Sequence, residues 1–360
     1  MRVVAIVAGA ALIGLVLWET FETLVLPRRV ARRLRLTRMF FRIMWGTWSG
    51  IGRRHPGRRR ENYLSVFAPL SLIAIFVLWG LGLVVGFALI QWGCSTPLGS
   101  HASTGFGTYL YLSATTFVTL GLGDVWPVSS LGRAITAVEA GAGFAFLAIA
   151  ISYLPVLYQS FSRREMRISM LDQWAGSPPN AAELLRRAAM HGEIGSVDEL
   201  LGDWESWSAE LLESHLSYPI LAYFRSQHDE QSWLAALTAV LDVSTLVLSG
   251  VEGISQWQAR RTFAISRHAV VDLAQVLHIE PKLPEHDRVG PEEFAKVRRM
   301  LEAAGAQLDE RAEERLGPFR RMYEPYVYVL SRRLEMPLPR FAPDGDGQDD
   351  WQRSAWPEPG

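Results

Sequence analysis

The chain has 360 residues, 49% hydrophobic and 20% charged, with a formal net charge of −1 at pH 7. That near-zero charge is a cancellation: residues 1–162 hold 14 arginines against 5 acidic residues, a net of +9, and residues 163–360 hold 22 basic against 32 acidic residues, a net of −10. The 62 positions between Glu61 and Asp124 contain no Asp, Glu, Lys or Arg, which excludes a simple soluble enzyme and indicates a bilayer protein with a water-exposed C-terminal half.

A bilayer core about 30 Å thick needs about 20 apolar residues in a helix. The first such stretch is Val3–Leu26. Glu19, Glu22 and then Leu-Pro-Arg-Arg come at its end with no small-residue cleavage site, so residues 1–26 are expected to stay as a transmembrane anchor and not to be removed as a signal peptide. Glu19 and Glu22, three apart, share one helix face, with Arg28 or Arg29 as expected partners. Residues 27–62 then carry twelve arginines against the single acidic residue Glu61. The positive-inside rule places this loop in the cytoplasm, the N-terminus and Cys94 outside, and everything beyond the third span inside, in agreement with Arg163, Arg164 and Arg167. Leu36, Met39, Phe40, Ile43 and Met44 recur at helical spacing between the arginines, the pattern of an amphipathic helix on a membrane surface. Such a segment is either a topology signal and surface anchor or a site for anionic lipid head groups. Neither the first nor the second span repeats arginine at every third position, so a voltage sensor of the usual kind is absent.

The second full span is Tyr63–Trp92 and the third is Leu131–Tyr158. Between them, Thr108–Thr119 is uncharged and twelve residues long, roughly 18 Å as a helix, enough to enter a membrane and not to cross it. It must return to the side it came from, and its end runs into the motif Thr119-Leu120-Gly121-Leu122-Gly123-Asp124. Irregular backbone at membrane depth is tolerated only where protein buries it or it lines water. Glycine at alternate positions admits positive φ, which lets successive carbonyls turn toward one axis. The C-terminal end of the half-span helix also brings the negative end of its dipole toward the membrane centre, favourable to a cation.

These residues resemble the pore module of potassium channels: outer helix, re-entrant pore helix, filter and inner helix, over residues 63–161. The resemblance implies an all-α membrane protein in which Thr119 forms the innermost K+ site. Leu120, Gly121 and Leu122 supply the next carbonyls, and Gly123 and Asp124 stand at the outer mouth. Permeant K+ ions at Thr119, Leu120, Gly121 and Leu122 are then the only ligands expected, with no other cofactor. Most of the family has tyrosine or phenylalanine at the position of Leu122; the second pore segments of two-pore-domain potassium channels often carry the same Gly-Leu-Gly. Thr115 stands where some members place a glutamate that pairs with the filter aspartate. One pore segment per chain implies a homotetramer.

The third span carries Glu139, Gly141, Gly143 and Pro155. By resemblance Gly143 matches the inner-helix glycine at which many pores bend, with Gly141 as the alternative. Close helix packing is the other reading of both, as Ala140, Ala142 and Ala145 suggest. Pro155 is expected to kink the helix near a cytoplasmic gate. Glu139 is the only charge deep in the span, and an ionisable group there needs a partner or water. It either sits behind the filter and hydrogen-bonds, or faces the cavity and attracts cations. The lone Cys94 excludes an intrachain disulfide and a multi-cysteine zinc site, and is either a small apolar residue or a cross-link between subunits.

Beyond residue 162 the pattern is helical at 178–191, 196–216, 230–248, 254–278, 291–306 and 310–336, so residues 162–336 read as an all-α cytoplasmic domain and residues 337–360 as a disordered tail. A Gly-x-Gly-x-x-Gly turn is missing, which argues against nucleotide gating of the Rossmann type. His268 and Asp272, four apart, are too few for a metal site, and Trp204, Trp207, Trp233 and Trp257 read as core before they read as a pocket. No catalytic motif stands in the chain and no nucleic-acid partner is expected. The sequence therefore reads as a tetrameric potassium channel of the cell (inner) membrane, gated at the inner helix by the helical domain or by lipid. A weakly selective cation channel and a non-conducting membrane sensor are the alternatives.

Overall fold

The computed structural model describes residues 1–25, 36–99, 105–228 and 230–343, which are helical almost throughout. They form two compact units: residues 1–52 with 66–158, and residues 53–65 with 159 onward.

The first unit contains α1 (Arg2–Thr20), which runs on as a π-helical turn over Phe21–Val25, and α2 (Leu36–Gly52). After α3 (Gly57–Ser65), which belongs to the second unit, come α4 (Phe67–Gly93), β1 (Leu98–Gly99), α5 (Phe106–Phe117), β2 (Trp126–Pro127) and α6 (Ser130–Ala175). Among the described residues, three stretches are long and apolar enough to cross a membrane: Arg2–Leu24, Gly57–Gly93 and Ser130–Ala175. α1 packs along α4 through glycine. A Cβ at Gly9 would stand 2.5 Å from the Gly86 carbonyl oxygen, and Gly82 and Gly86, one turn apart, face Val16 and Ile13. With no hydrophobic drive between helices in lipid, such small residues permit the close backbone approach that holds them. The N-terminal segment is thus docked on the outer helix of the pore module and is more than an anchor.

Glu19 has a different partner from the one expected. Its buried carboxylate accepts from the backbone N–H of Leu36 and of Thr37, both at 3.2 Å, and from the Thr37 hydroxyl at 2.8 Å. It therefore caps α2, satisfying the orphan donors of that helix and meeting the positive end of its dipole. Glu22 accepts from Trp18 Nε1 at 2.8 Å, while Arg28 and Arg29 lie outside the described residues. On α2, Leu36, Met39, Ile43 and Ile51 are exposed, and Trp45 is buried against Phe67 at 4.8 Å between ring centres.

The second unit holds α3, the end of α6, and α7 (Ala181–Met190), α8 (Val197–Ser217), α9 (Trp233–Ser249), α10 (Gln256–Val276), α11 (Pro291–Ala303), α12 (Ala312–Arg320) and α13 (Glu324–Leu334). Every residue of α9 is buried, which makes it the centre of the domain. Asn180, Ser232 and Ser255 cap α7, α9 and α10 through their side-chain oxygens, at 3.1, 3.0 and 3.2 Å. The expected helix over 310–336 is two helices. Pro325, in the first turn of α13, starts a new helix there, and Tyr323 at the break turns its hydroxyl onto Asp242 at 2.5 Å.

The start of the expected disordered tail is ordered, which corrects the reading of residues 337–343. Phe341 and Ala342 are fully buried, the Phe341 carbonyl accepts from Ala182 N at 2.9 Å, and the Arg340 carbonyl accepts from Asn180 Nδ2 at 2.8 Å. The cause is a half-buried arginine: Arg288 donates to both oxygens of Asp242 (3.1 and 2.9 Å), to Glu324 and to the Pro339 carbonyl (2.7 Å), and its guanidinium lies 5.2 Å from the Phe341 ring. Residues 344–360 lie outside the described residues.

Trp204, Trp207 and Trp233 are buried, as core tryptophans should be, and Trp257 is 68% exposed. His268 Nε2 stands 3.1 Å from Asp272 Oδ2, and no group of three or more metal-capable side chains exists among the described residues.

His215, buried on α8, is pushed down to about 3 by burial and by the Arg164 guanidinium beside it. The unfolded chain binds this proton near the ordinary 6.5 and the folded chain only near 3, so stability falls as pH drops through that window, by about 1.4 kcal/mol per pH unit. Thermal unfolding of the full chain between pH 7 and 5 should show this slope, and His215→Gln should flatten it. An unchanged slope in the variant would refute the assignment.

Candidate functional site

Helix α5, at Phe106–Phe117, is a short helix that begins two residues before the uncharged stretch Thr108–Thr119 read as a half-span and ends two residues before its close. Tyr109 donates to the Thr96 carbonyl at 2.8 Å, and the Ser113 hydroxyl lies 2.7 Å from the Val84 carbonyl of α4. The Phe117 ring packs against the Phe146 ring of α6 at 5.8 Å, with Gly80 of α4 making room beside it. Gln91 ties α4 to α6 through the Gly132 carbonyl (3.2 Å) and the Thr136 hydroxyl (3.0 Å). Outside the helices, β1 pairs antiparallel with β2, Leu98 opposite Pro127 and Gly99 opposite Trp126.

At its C-terminal end α5 turns tightly into the motif. Thr119 N bonds to the Thr116 carbonyl at 2.9 Å, and Leu120 N and Gly121 N both reach the Thr115 carbonyl, at 2.8 and 3.3 Å. From there the backbone alternates in hand. Thr119, Gly121 and Gly123 have φ of +55°, +54° and +75°, and the intervening Leu120, Leu122 and Asp124 are not in the left-handed region. Glycine takes such angles without penalty, which accounts for Gly121 and Gly123. Thr119, carrying a Cβ, holds a sparsely populated conformation of the sort that persists where function requires it. Within one chain the side chains of Val118, Leu120 and Leu122 are exposed, the leucines by 59% and 60%.

Asp124 accepts from the Tyr111 hydroxyl at 3.0 Å. Thr115, the residue that position in the sequence singles out, bonds back instead to the Tyr111 and Leu112 carbonyls through its hydroxyl, at 3.0 Å each. The signal for Tyr111 was spacing: it stands one turn from Thr115 on the same face of α5, and only the tyrosine is long enough to reach the outer mouth.

Gly143 packs closely against the end of α5. A Cβ there would stand 2.1 Å from the Phe117 carbonyl oxygen, whereas Gly141 has nothing within 4 Å in its own chain. α6 stays helical through Pro155 and runs on to Ala175. Glu139 is completely buried and hydrogen-bonds Ser113 in the middle of α5, a partner in the helix before the motif and not in the motif itself. Phe144, Leu147 and Ile151 of α6 are exposed in the single chain, and Cys94 is a half-buried free thiol.

Residues 73–159 match the model of a family described as ion channel, a stretch that takes in most of α4, all of α5, the motif and the membrane part of α6. The chain is therefore an all-α membrane protein carrying an ion channel domain. It is also similar to an uncharacterized membrane protein, YdjJ, of Bacillus subtilis (strain 168), with 28% identity over 202 residues. That likeness covers 54% of this chain and 57% of the relative, so the chain spans a little over half the length of the protein it matches. No solved structure matches the chain.

Proposed function

We propose that the protein is a potassium-selective channel of the cell membrane, conducting passively through a homotetrameric pore. The reading is carried by one observation, the alternating hand of the backbone from Thr119 to Asp124. It is the condition under which carbonyls of Thr119, Leu120, Gly121 and Leu122 from several chains face one axis and replace the water shell of a cation. Four copies are supported by the exposure of Val118, Leu120 and Leu122, because irregular backbone at membrane depth must be covered by protein or line water. The N-terminus would lie outside and the helical domain in the cytoplasm. The exposed Met39 and Ile43 beside Arg38 and Arg42 on α2 would rest on anionic head groups.

Full-length protein in potassium-loaded liposomes should sustain a flux that rubidium carries and sodium does not. Gly121→Ala should abolish it, since alanine is strained at φ +54°. A second reading, a weakly selective cation channel, is favoured by Leu122, which has no aromatic ring with which to brace the filter. Equal sodium and potassium flux would establish that reading, and a silent bilayer would point to the non-conducting sensor.

A further inference from the structure

One hydroxyl joins all three helices of the pore module. Ser113 Oγ of α5 meets the Val84 carbonyl of α4 at 2.7 Å and hydrogen-bonds a carboxyl oxygen of Glu139 on α6. All of this is buried. A hydroxyl has a single proton and a backbone carbonyl only accepts. The Ser113 proton serves one of these two oxygens, and both contacts are hydrogen bonds only when the Glu139 carboxyl brings the second proton. Two further facts agree. The other carboxyl oxygen, Glu139 Oε2, is buried with no hydrogen-bond partner, and no described Lys or Arg forms an ion pair with Glu139. Arg133, six residues before Glu139 on the same helix, is turned to the Pro127 carbonyl at 3.3 Å. An ionised carboxylate so placed would have neither a counter-charge nor full hydrogen bonding, an arrangement that buried charge does not tolerate.

We infer that Glu139 is a positioning residue acting as a neutral hydrogen-bond donor, and that with Ser113 it locks the register of α5 against α6. The spacing shows how. Glu139 and Gly143 are one turn apart on α6, and Ser113 and Phe117 are one turn apart on α5. The Glu139–Ser113 bond and the close approach of Gly143 to the Phe117 carbonyl are thus two successive rungs between the same helices. The lower rung sits at the last residue of α5, two positions before Thr119. A slip of α5 on α6 therefore moves the motif directly, and the bond to Val84 ties the same rung to the outer helix. This role rests on the proposed channel function, and it differs from a cavity charge that attracts cations, because shape and proton donation do the work.

Three variants of the full chain test it: Glu139→Gln, Glu139→Ala and Ser113→Ala. In liposomes, Glu139→Gln, whose amide is neutral and can donate to Ser113, should keep rubidium flux and its preference over sodium within twofold of the parent. The two alanine variants should each lose at least tenfold in flux or in that preference, and their combination should be no worse than Ser113→Ala alone, since that variant already removes the bond to Glu139 along with the one to Val84. Backbone hydrogen exchange over residues 113–121 in detergent gives a readout that needs no conduction: both alanine variants should raise it and Glu139→Gln should not. Damage by Glu139→Gln equal to that by Glu139→Ala, in flux or in exchange, would overturn the inference, as would additive losses in the double variant. If the parent conducts nothing, the channel reading fails, and the exchange measurement still decides whether the lock exists.

Discussion

Gly143→Ala is expected to lower potassium flux by more than tenfold in reconstituted protein, while Gly141→Ala, two residues away, leaves assembly and flux near the parent level. The contrast comes from what each new methyl group meets. At Gly143 it would stand 2.1 Å from the Phe117 carbonyl oxygen and 2.9 Å from its carbonyl carbon, and at Gly141 nothing of the same chain lies within 4 Å. A flexible side chain could swing away from such a clash, but Phe117 meets it with backbone. Either α5 or α6 must shift, and overpacking of this kind costs about 1–3 kcal/mol where some relief exists. Any shift of α5 falls on the motif, because the Thr119, Leu120 and Gly121 N–H groups hang from the Thr115 and Thr116 carbonyls of its last turn. If Gly143 acted as a free hinge, alanine would stiffen the helix and change gating kinetics with conduction intact. Equal flux in both variants, with altered kinetics in Gly143→Ala alone, would restore the hinge reading.

How much of this was legible in the sequence depends on whether the relevant contact is local. The spans were, since each is an apolar run long enough to cross a bilayer, and the second also lies within 62 consecutive uncharged residues. So was α5, whose twelve uncharged residues set its length before the structure placed it at Phe106–Phe117. The helical domain was legible at the level of class, because periodicity of three and four marks helices wherever they pack. What escaped was long-range pairing. Nothing in the run of α4 says that Gly82 and Gly86 face α1, because a glycine carries no amphipathic signal. Glu19 looks like half of an ion pair in sequence, and it turned out to cap a helix beginning 17 residues later. The Pro- and Asp-rich composition after Met336 suggests disorder, yet Phe341 is held by Arg288 and by the α7 backbone, partners that composition cannot name.

Substituting Arg164 or Arg225 is expected to change the open probability of the channel by about tenfold while leaving the ratio of potassium to sodium permeation unchanged. Within the second unit, Arg164 of α6 is buried and donates to the Leu221 and Phe224 carbonyls, both at 2.9 Å, while Phe161 packs on Phe224 at 5.4 Å between ring centres. The next residue along, Arg225, pairs with Glu61 at 3.3 Å and donates to the Leu334 and Glu335 carbonyls, at 2.6 and 2.9 Å. The Glu335 carboxylate in turn takes Arg53 at 2.7 Å and Arg60. One five-residue stretch, Leu221–Arg225, thereby holds the chain just before the outer helix and the chain just after the inner span. α6 runs without interruption from Gly143 through Pro155 to Arg164. Pro155 lacks the backbone donor that would brace its turn, so a displacement at Arg164 is absorbed there as bending. Coupling energies of about 1–3 kcal/mol, typical between distant sites, correspond to roughly 5- to 150-fold in an equilibrium. Single-channel recordings of Arg164→Gln, Arg225→Gln and the double variant measure this directly. The two effects should be less than multiplicative together, because both pass through the same stretch. Multiplicative effects, or a change in permeability ratio, would show instead that the two arginines act separately and only on the stability of the domain or on the filter.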